Sequence, residues 1–170
     1  MVRQGTEKDL ADILEIYNDA ILNTTAIYDY TPHTIEDRIK WYEKRREDGY
    51  PLLVFEENNK VVGFATYGPF RAYPAFKYTI EHSVYVHKDY RNLGIGKVLL
   101  KELIDIANKD EYAIMVACID SLNENSIKIH EKFGFEFSGK ISKAGYKFNK
   151  WLDLVFYQLN LNGPKDPIEK

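Results

Sequence analysis

The chain has little cysteine: Cys118 is the one thiol in 170 residues. A lone cysteine forms no intrachain disulfide, so a reducing compartment and a cytoplasmic location are expected. Its neighbours, Ala113 to Ile119, read as a buried strand, which makes Cys118 itself a small buried hydrophobe. Long apolar runs are missing too, and none approaches the ~18 residues of a membrane span. The opening residues, MVRQGTEKDLADI, lack the apolar core of a secretory signal. Charge of one sign is not in excess. The 23 Lys and Arg against 26 Asp and Glu leave a net charge of -3, which excludes a general affinity for nucleic acid or an anionic membrane. No His, Cys and carboxylate cluster has metal-ligand spacing, so no metal is expected.

Apolar residues are plentiful, at 45%, enough for a true core. Aromatics are unusually common: 13 Tyr, 9 Phe and 2 Trp, many of them between Tyr67 and Tyr90, where they suit either a core rim or a pocket wall. The length fits one domain over residues 1–162, with the final residues 163–170 read as a frayed tail.

Periodicity predicts the elements. Thr6 and Asp9 open a helix whose stripe runs from Leu10 to Ile21, and Thr34 with Asp37 opens a second one to about Glu47. PLLVFEENNKVVGFATYG reads as a hairpin turning at Asn58-Asn59, and residues 76–87 as a further strand. A helix follows, with Val98, Leu99, Leu103, Ile104 and Ala107 facing the core. YAIMVACI is a strand covered on both faces, and Ser126 to Phe133 a short helix ended by Gly134. Two last strands lie around 135–143 and 151–161. The central β-α-β-α order allows parallel pairing and the two ends favour antiparallel pairing, so the fold class is α/β, a mixed α+β domain.

The junction YRNLGIGKVLL, residues 90–100, carries the chemistry. The first N–H groups of a helix have no intrahelical partner and sit at the positive end of its dipole. Gly94 and Gly96 let a ligand reach that backbone, and Arg91 and Lys97 add charge, a combination that suits phosphate. The spacing is wrong for a P-loop, and Leu99 stands where a dinucleotide fingerprint needs its third glycine. A structural turn remains the alternative for a bare Gly-x-Gly. Elsewhere, Glu81 interrupts a covered strand, and a carboxylate there needs a partner or a role. His82 and Ser83 follow it on alternating faces. Arg71 sits in a loop between Pro69 and Pro74, where it can grip an oxyanion. Asn123 precedes a helix and can cap it.

The pattern Arg91-Asn92-Leu93-Gly94-Ile95-Gly96 between strand and amphipathic helix resembles the acyl-CoA pyrophosphate loop of the GNAT acyltransferase superfamily. The segment from Asn123 through Ser126 and His130 to Phe135 resembles a later motif of that superfamily. IYNDAI, YTIEHSVYV, SIKIHEKFGF and KFNKWLD narrow the resemblance to its phosphinothricin and methionine sulfoximine N-acetyltransferase group, from about Val2 to Leu161. Asn92 departs from a glycine common in that loop, and His130 from a tyrosine that often serves as general acid.

The resemblance implies a twisted, mostly antiparallel sheet flanked by helices, and acetyl transfer from acetyl-CoA to the α-amino group of a small amino acid. It assigns Val84, Tyr85 and Val86 to the acyl arm, and Arg91 to Lys97, Ile95 included, to the pyrophosphate. Asn123 becomes a CoA contact. Arg71, Ala72, Tyr73, Glu81, His82 and Ser83 fall to the acceptor. Glu81 becomes the base, and His130 either a general acid or a structural histidine. A homodimer is implied as well. Another amine acceptor within the same fold, an acyl-CoA sensor without catalysis, and a purely structural glycine turn stay open as alternatives.

Overall fold

The computed structural model describes residues 1–169, and the last expected tail residue, Lys170, lies outside them. The described elements run in the order β1 (Val2–Gln4), α1 (Leu10–Asn23), α2 (Ile35–Glu47), β2 (Leu52–Glu57), β3 (Lys60–Pro69), β4 (Thr79–Val86), α3 (Ile95–Lys109), β5 (Ile114–Asp120), α4 (Glu124–Lys132), β6 (Glu136–Lys147) and β7 (Lys150–Asn160). The strands form one sheet in the order β1-β2-β3-β4-β5-β7-β6. β4 and β5 pair in parallel, while β1–β2, β2–β3, β5–β7 and β6–β7 are antiparallel. This is the mixed, mostly antiparallel α/β sheet that was expected.

The chain falls into two compact units, one of residues 1–67 and 83–103, the other of residues 68–82 and 104 onward. β4 and α3 each begin in one and end in the other.

In the first unit, Leu10, Ile13 and Ile16 of α1 pack with Leu52, Val54, Val61 and Phe64 of the β2–β3 hairpin. Asn58 and Asn59 make the hairpin turn with φ of 51° and 61°, a left-handed pair that asparagine tolerates. Both helix starts carry their caps. Asp37 accepts the Thr34 N–H at 2.9 Å, and Asp9 accepts the Thr6 N–H at 2.7 Å. Asp9 does more, since both its oxygens also bind the Arg3 guanidinium at 2.8 Å. That fork pins β1, a strand that three residues are too few to announce by periodicity. In α3 the buried side chains are Ile95, Leu99, Leu100, Leu103 and Ala107, whereas Val98, expected on that stripe, is 44% exposed.

In the second unit, β5 buries Met115, Val116, Ala117 and Ile119, but Cys118 is only half-buried, which corrects its reading as a core hydrophobe. The last hairpin is longer than its polar middle suggested. β6 and β7 pair as far as Lys147↔Lys150, and Phe148 and Asn149 turn with φ of 53° and 58°. The start of the strand expected at residue 76 is instead a single helical turn, Pro74–Phe76. The tail is held rather than frayed. Gly163 N–H donates to the Tyr112 carbonyl at 3.2 Å, and Ile168 N–H donates to the Tyr78 hydroxyl at 3.0 Å.

Candidate active site

β4 ends at Val86, and a short turn sets the entry to α3. His87 is buried; its Nδ1 accepts the Asp89 N–H at 3.2 Å and its Nε2–H donates to Glu15 at 3.1 Å. Asn92 (φ 63°) and Gly94 (φ 82°) then swing the chain from extended into helical backbone. A Cβ on Gly94 would meet nothing within 4 Å, so conformation, not crowding, calls for glycine there. The first α3 hydrogen bond runs from Val98 N–H to Gly94 O at 3.2 Å. The N–H groups of Ile95, Gly96 and Lys97 therefore have no acceptor within the helix. A Cβ on Gly96 would sit 3.7 Å from Val86 and 3.9 Å from Val84, ordinary contact distances. Packing alone does not require a glycine there, and the bare backbone suits the close approach of a phosphate. Lys97 and Leu93 are exposed beside it.

Arg91 has partners within the protein. Its Nη2 donates to Asp19 of α1 at 3.1 Å and its Nε to the Val86 carbonyl at 3.2 Å. The guanidinium thus fastens the loop to α1.

Along β4 the burial alternates: Ile80 and His82 are buried, Glu81 and Ser83 half-buried. Glu81 and Ser83 share one face of the strand, and His82 is turned to the other. The ladder with β5 pairs Thr79↔Ile114, Ile80↔Met115 and Glu81↔Val116. Two residues past Val116 stands Cys118. Burial pushes its thiol well above the ordinary range, and a hydrogen bond to the Glu81 carboxylate pushes it further, with Arg71 opposing weakly. Glu81, Cys118 and Arg71 therefore share one electrostatic neighbourhood. Arg71 is exposed, its Nη1 donating to the Phe70 carbonyl at 2.7 Å and its guanidinium lying 4.0 Å from the Phe70 ring. Ala72 and Tyr73 are exposed as well, Tyr73 by 76%.

His82 and His130 stack with ring centroids 5.0 Å apart and planes 10° from parallel. Their proton positions follow from their partners. The Ser126 carbonyl lies 2.7 Å from His130 Nδ1 and can only accept, so that nitrogen carries the proton. His130 Nε2 then accepts, at 3.0 Å, from His82 Nε2–H. The chain ends on His82 Nδ1, buried without a partner. Burial, then the neighbouring His130, lowers the His82 pKa to about 3, and burial lowers that of His130 as well. Both rings are neutral. His130 thus has both nitrogens engaged and holds its one proton against a carbonyl.

Asn123 is the N-cap of α4, its side-chain oxygen accepting the Ser126 N–H at 3.1 Å. Among the described residues no group of three His, Cys, Asp or Glu is placed to hold a metal ion, and no helix is long and apolar enough to cross a membrane.

The model of the acetyltransferase (GNAT) domain matches residues 2–156. The chain belongs to the GNAT acetyltransferase family. The L-methionine sulfoximine/L-methionine sulfone acetyltransferase of Salmonella typhimurium is 44% identical over 161 residues, spanning 95% of this chain and 94% of its own. The N-acetyltransferase structure from Staphylococcus aureus Mu50 superposes with a TM-score of 0.94 at 52% identity, covering 95% of this chain and 98% of that one. A GNAT superfamily phosphinothricin acetyltransferase from Sinorhizobium meliloti, solved in complex with acetyl-CoA, gives 0.92 at 33% identity, covering 95% and 88%. Both the GNAT resemblance and its narrower form are borne out.

Sequence reasoning missed three partners of the GNAT site residues: Asp19 for Arg91, Cys118 for Glu81, and the coupling of His82 to His130, 48 positions away. None leaves a local signal, because each joins segments distant in sequence.

Two outcomes follow from this geometry. Gly96→Asp adds a carboxylate to the first turn of α3, where the dipole favours it, yet opposes a pyrophosphate. Isothermal titration should show CoA affinity at least about tenfold weaker with the melting temperature unreduced; unchanged affinity would remove the cradle. For His82 the folded pKa lies below the ordinary 6.5, so the unfolded chain binds the extra proton. Its stabilising effect is complete above about pH 6.5 and is lost as pH falls towards 3. Urea melts between pH 7 and 5 should show His82→Phe losing stability more gently than the parent, by about 1.4 kcal/mol per pH unit for one proton.

Proposed function

We propose that the chain is an N-acetyltransferase that moves acetyl from acetyl-CoA to the α-amino group of a small amino acid. Acceptors of the methionine sulfoximine, methionine sulfone and phosphinothricin type are the best candidates. The observation that carries this reading is the 44% identity, across nearly the whole of both chains, to an enzyme named for the first two.

In this reading acetyl-CoA supplies the activated thioester, and the protein does the rest. The N–H groups of Ile95, Gly96 and Lys97 hold the pyrophosphate, with the Lys97 ammonium beside them. Asn92, Leu93 and Gly94 form the turn that presents those groups, and Arg91 keeps the turn against α1. Asn123 adds a contact to the CoA while it caps α4. The backbone of Val84, Tyr85 and Val86 lies along the acyl arm, where fixed N–H donors stabilise the oxyanion that develops on attack. Glu81 removes the ammonium proton of the acceptor, directly or through one water, so that a neutral amine attacks the thioester carbonyl. The C–S bond then breaks, CoA leaves as its thiolate, and the proton left on the amide nitrogen passes to that thiolate or to water.

Ser83 shares the face of Glu81 and orients the acceptor, while Arg71, with Ala72 and Tyr73, binds an oxyanion on it. His82 supports Glu81 from behind, and His130 fixes His82; His130 takes no part in proton transfer. Residues 1–162 act as one catalytic domain.

The chain also works as a homodimer in this reading. The β6–β7 hairpin exposes Phe137, Ile141, Phe148 and Trp151, each at least half accessible, an apolar surface that a second copy would cover.

Glu81→Gln should lower turnover with methionine sulfone about a hundredfold or more, read as thiol release, with acetyl-CoA affinity within about twofold of the parent. Unchanged turnover across pH would remove Glu81 as the base. Sedimentation should show the parent as a dimer and Trp151→Lys as a monomer; a parent that sediments as a monomer at micromolar concentration removes the homodimer.

A further inference from the structure

α2 buries two arginines. Arg38 is 2% exposed, and its guanidinium carbon lies 4.0 Å from the centroid of the Tyr17 ring and 4.6 Å from that of Trp41. Arg45, two turns on, lies 5.0 Å from the same Trp41 ring and donates from Nη1 to the Tyr67 carbonyl at 2.5 Å. Both Nε atoms are buried without a hydrogen-bond partner.

Among the described residues no carboxylate forms an ion pair with either arginine. The nearby acids are already engaged. Asp37 caps α2 through Thr34 at 2.9 Å, and Asp29 lies 3.1 Å from His33 Nε2. Burial lowers the pKa of both guanidiniums, and the charge of Arg38 lowers that of Arg45 further. Aromatic faces, and for Arg38 a hydrogen bond to the Tyr17 side chain, offset part of that penalty, yet a buried cation without an anion is costly to keep. An apolar side chain of the same volume would serve packing as well or better.

Arg38 borders a cavity of about 370 Å³ lined also by Tyr17, His33, Asp37, Lys40 and Trp41. We propose that this cavity is a binding site for a small carboxylate, held by the Arg38 guanidinium between the Tyr17 and Trp41 rings. A guanidinium sets N–H groups side by side, and a pair of them matches the two oxygens of a carboxylate. The flat aromatic walls suit a small planar group. Asp37 in the lining disfavours a dianion more than a monoanion, so a monoanionic carboxylate is preferred over phosphate.

Trp41 reports on the site. Trp151→Phe leaves it as the sole indole, because the chain has two tryptophans. Sodium acetate, titrated at constant ionic strength without acetyl-CoA, should give a saturable change in Trp41 emission that chloride and the neutral isostere acetamide do not. At about 100 times the dissociation constant the melting temperature should rise by roughly 5–10 °C. Arg38→Met should melt at the same temperature as the parent or higher without acetate, and lose the acetate response at least tenfold. Arg38→Lys, which keeps the charge but not the fork, should weaken it likewise and covers the case in which the Met variant fails to fold.

Two sources supply such a group: the α-carboxylate of an amino-acid acceptor, and a free carboxylate. If the acceptor supplies it, acetate competes with the acceptor and Arg38→Met raises the acceptor KM with kcat retained. If a free carboxylate does, the acceptor KM is unmoved while acetate still binds. The absence of a saturable acetate response, or its persistence at full affinity in both Arg38 variants, overturns the site. Because the binding arm needs no acetyl-CoA, it stands or falls apart from the acetyl-transfer reading.

Discussion

The parallel pairing of β4 with β5 is the constraint from which the turn into α3 follows. Two neighbouring strands that run the same way cannot be joined by a tight turn, so the chain has to cross over, and α3 is the crossover. A helix that starts a few residues after a strand must reverse direction quickly. Asn92 and Gly94 do this with positive φ, and the turn leaves the first N–H groups of α3 without acceptors in the helix. The unpaired donors at that end are thus a by-product of topology, and Arg91, through Asp19, fastens the turn to α1.

The protein resolves buried polarity in two opposite ways. In the second unit a histidine pair is kept neutral, because imidazole can shed its proton, and a single carbonyl fixes the direction of both rings. In the first unit the buried groups are arginines, which cannot shed theirs, and aromatic faces surround them instead. Asp9 shows a third solution, with a full fork from Arg3 and a backbone donor on one carboxylate. The histidine pair gives rigidity behind β4. The arginines leave a charge that the protein's own carboxylates do not match.

Much of this was legible because it is local. The caps at Thr34 and Thr6, the Asn58-Asn59 turn and the glycine junction each depend on residues within a few positions of one another, and their chemistry is written there. Glu81 could be picked out because a carboxylate breaks a β-branched and aromatic run. What could not be read depends on distant pairs. β1 is too short to show a period, and its anchor, Arg3 on Asp9 and Glu56, involves a strand fifty residues away. Val98 lost its place in the α3 stripe because helical spacing alone does not fix which edge of an apolar face meets the core. The length of the β6–β7 hairpin was hidden because most of β6 is exposed and shows no clean alternation, and its register shifts twice before the turn at Phe148 and Asn149. His130 matched a motif position, but its partners decide its chemistry, and His82 lies on another element.

The setting of Cys118 has a practical consequence. The only thiol of the chain is half-buried, hydrogen-bonded to Glu81 and held in its protonated form, so at neutral pH it is a poor nucleophile. Maleimides and iodoacetamides react with thiolates. A cysteine introduced at an exposed position, such as the Asn58-Asn59 turn, would therefore be alkylated far faster than the native one. The wild-type chain already serves as a background for attaching one fluorophore or spin label, with no need to remove a residue beside Glu81.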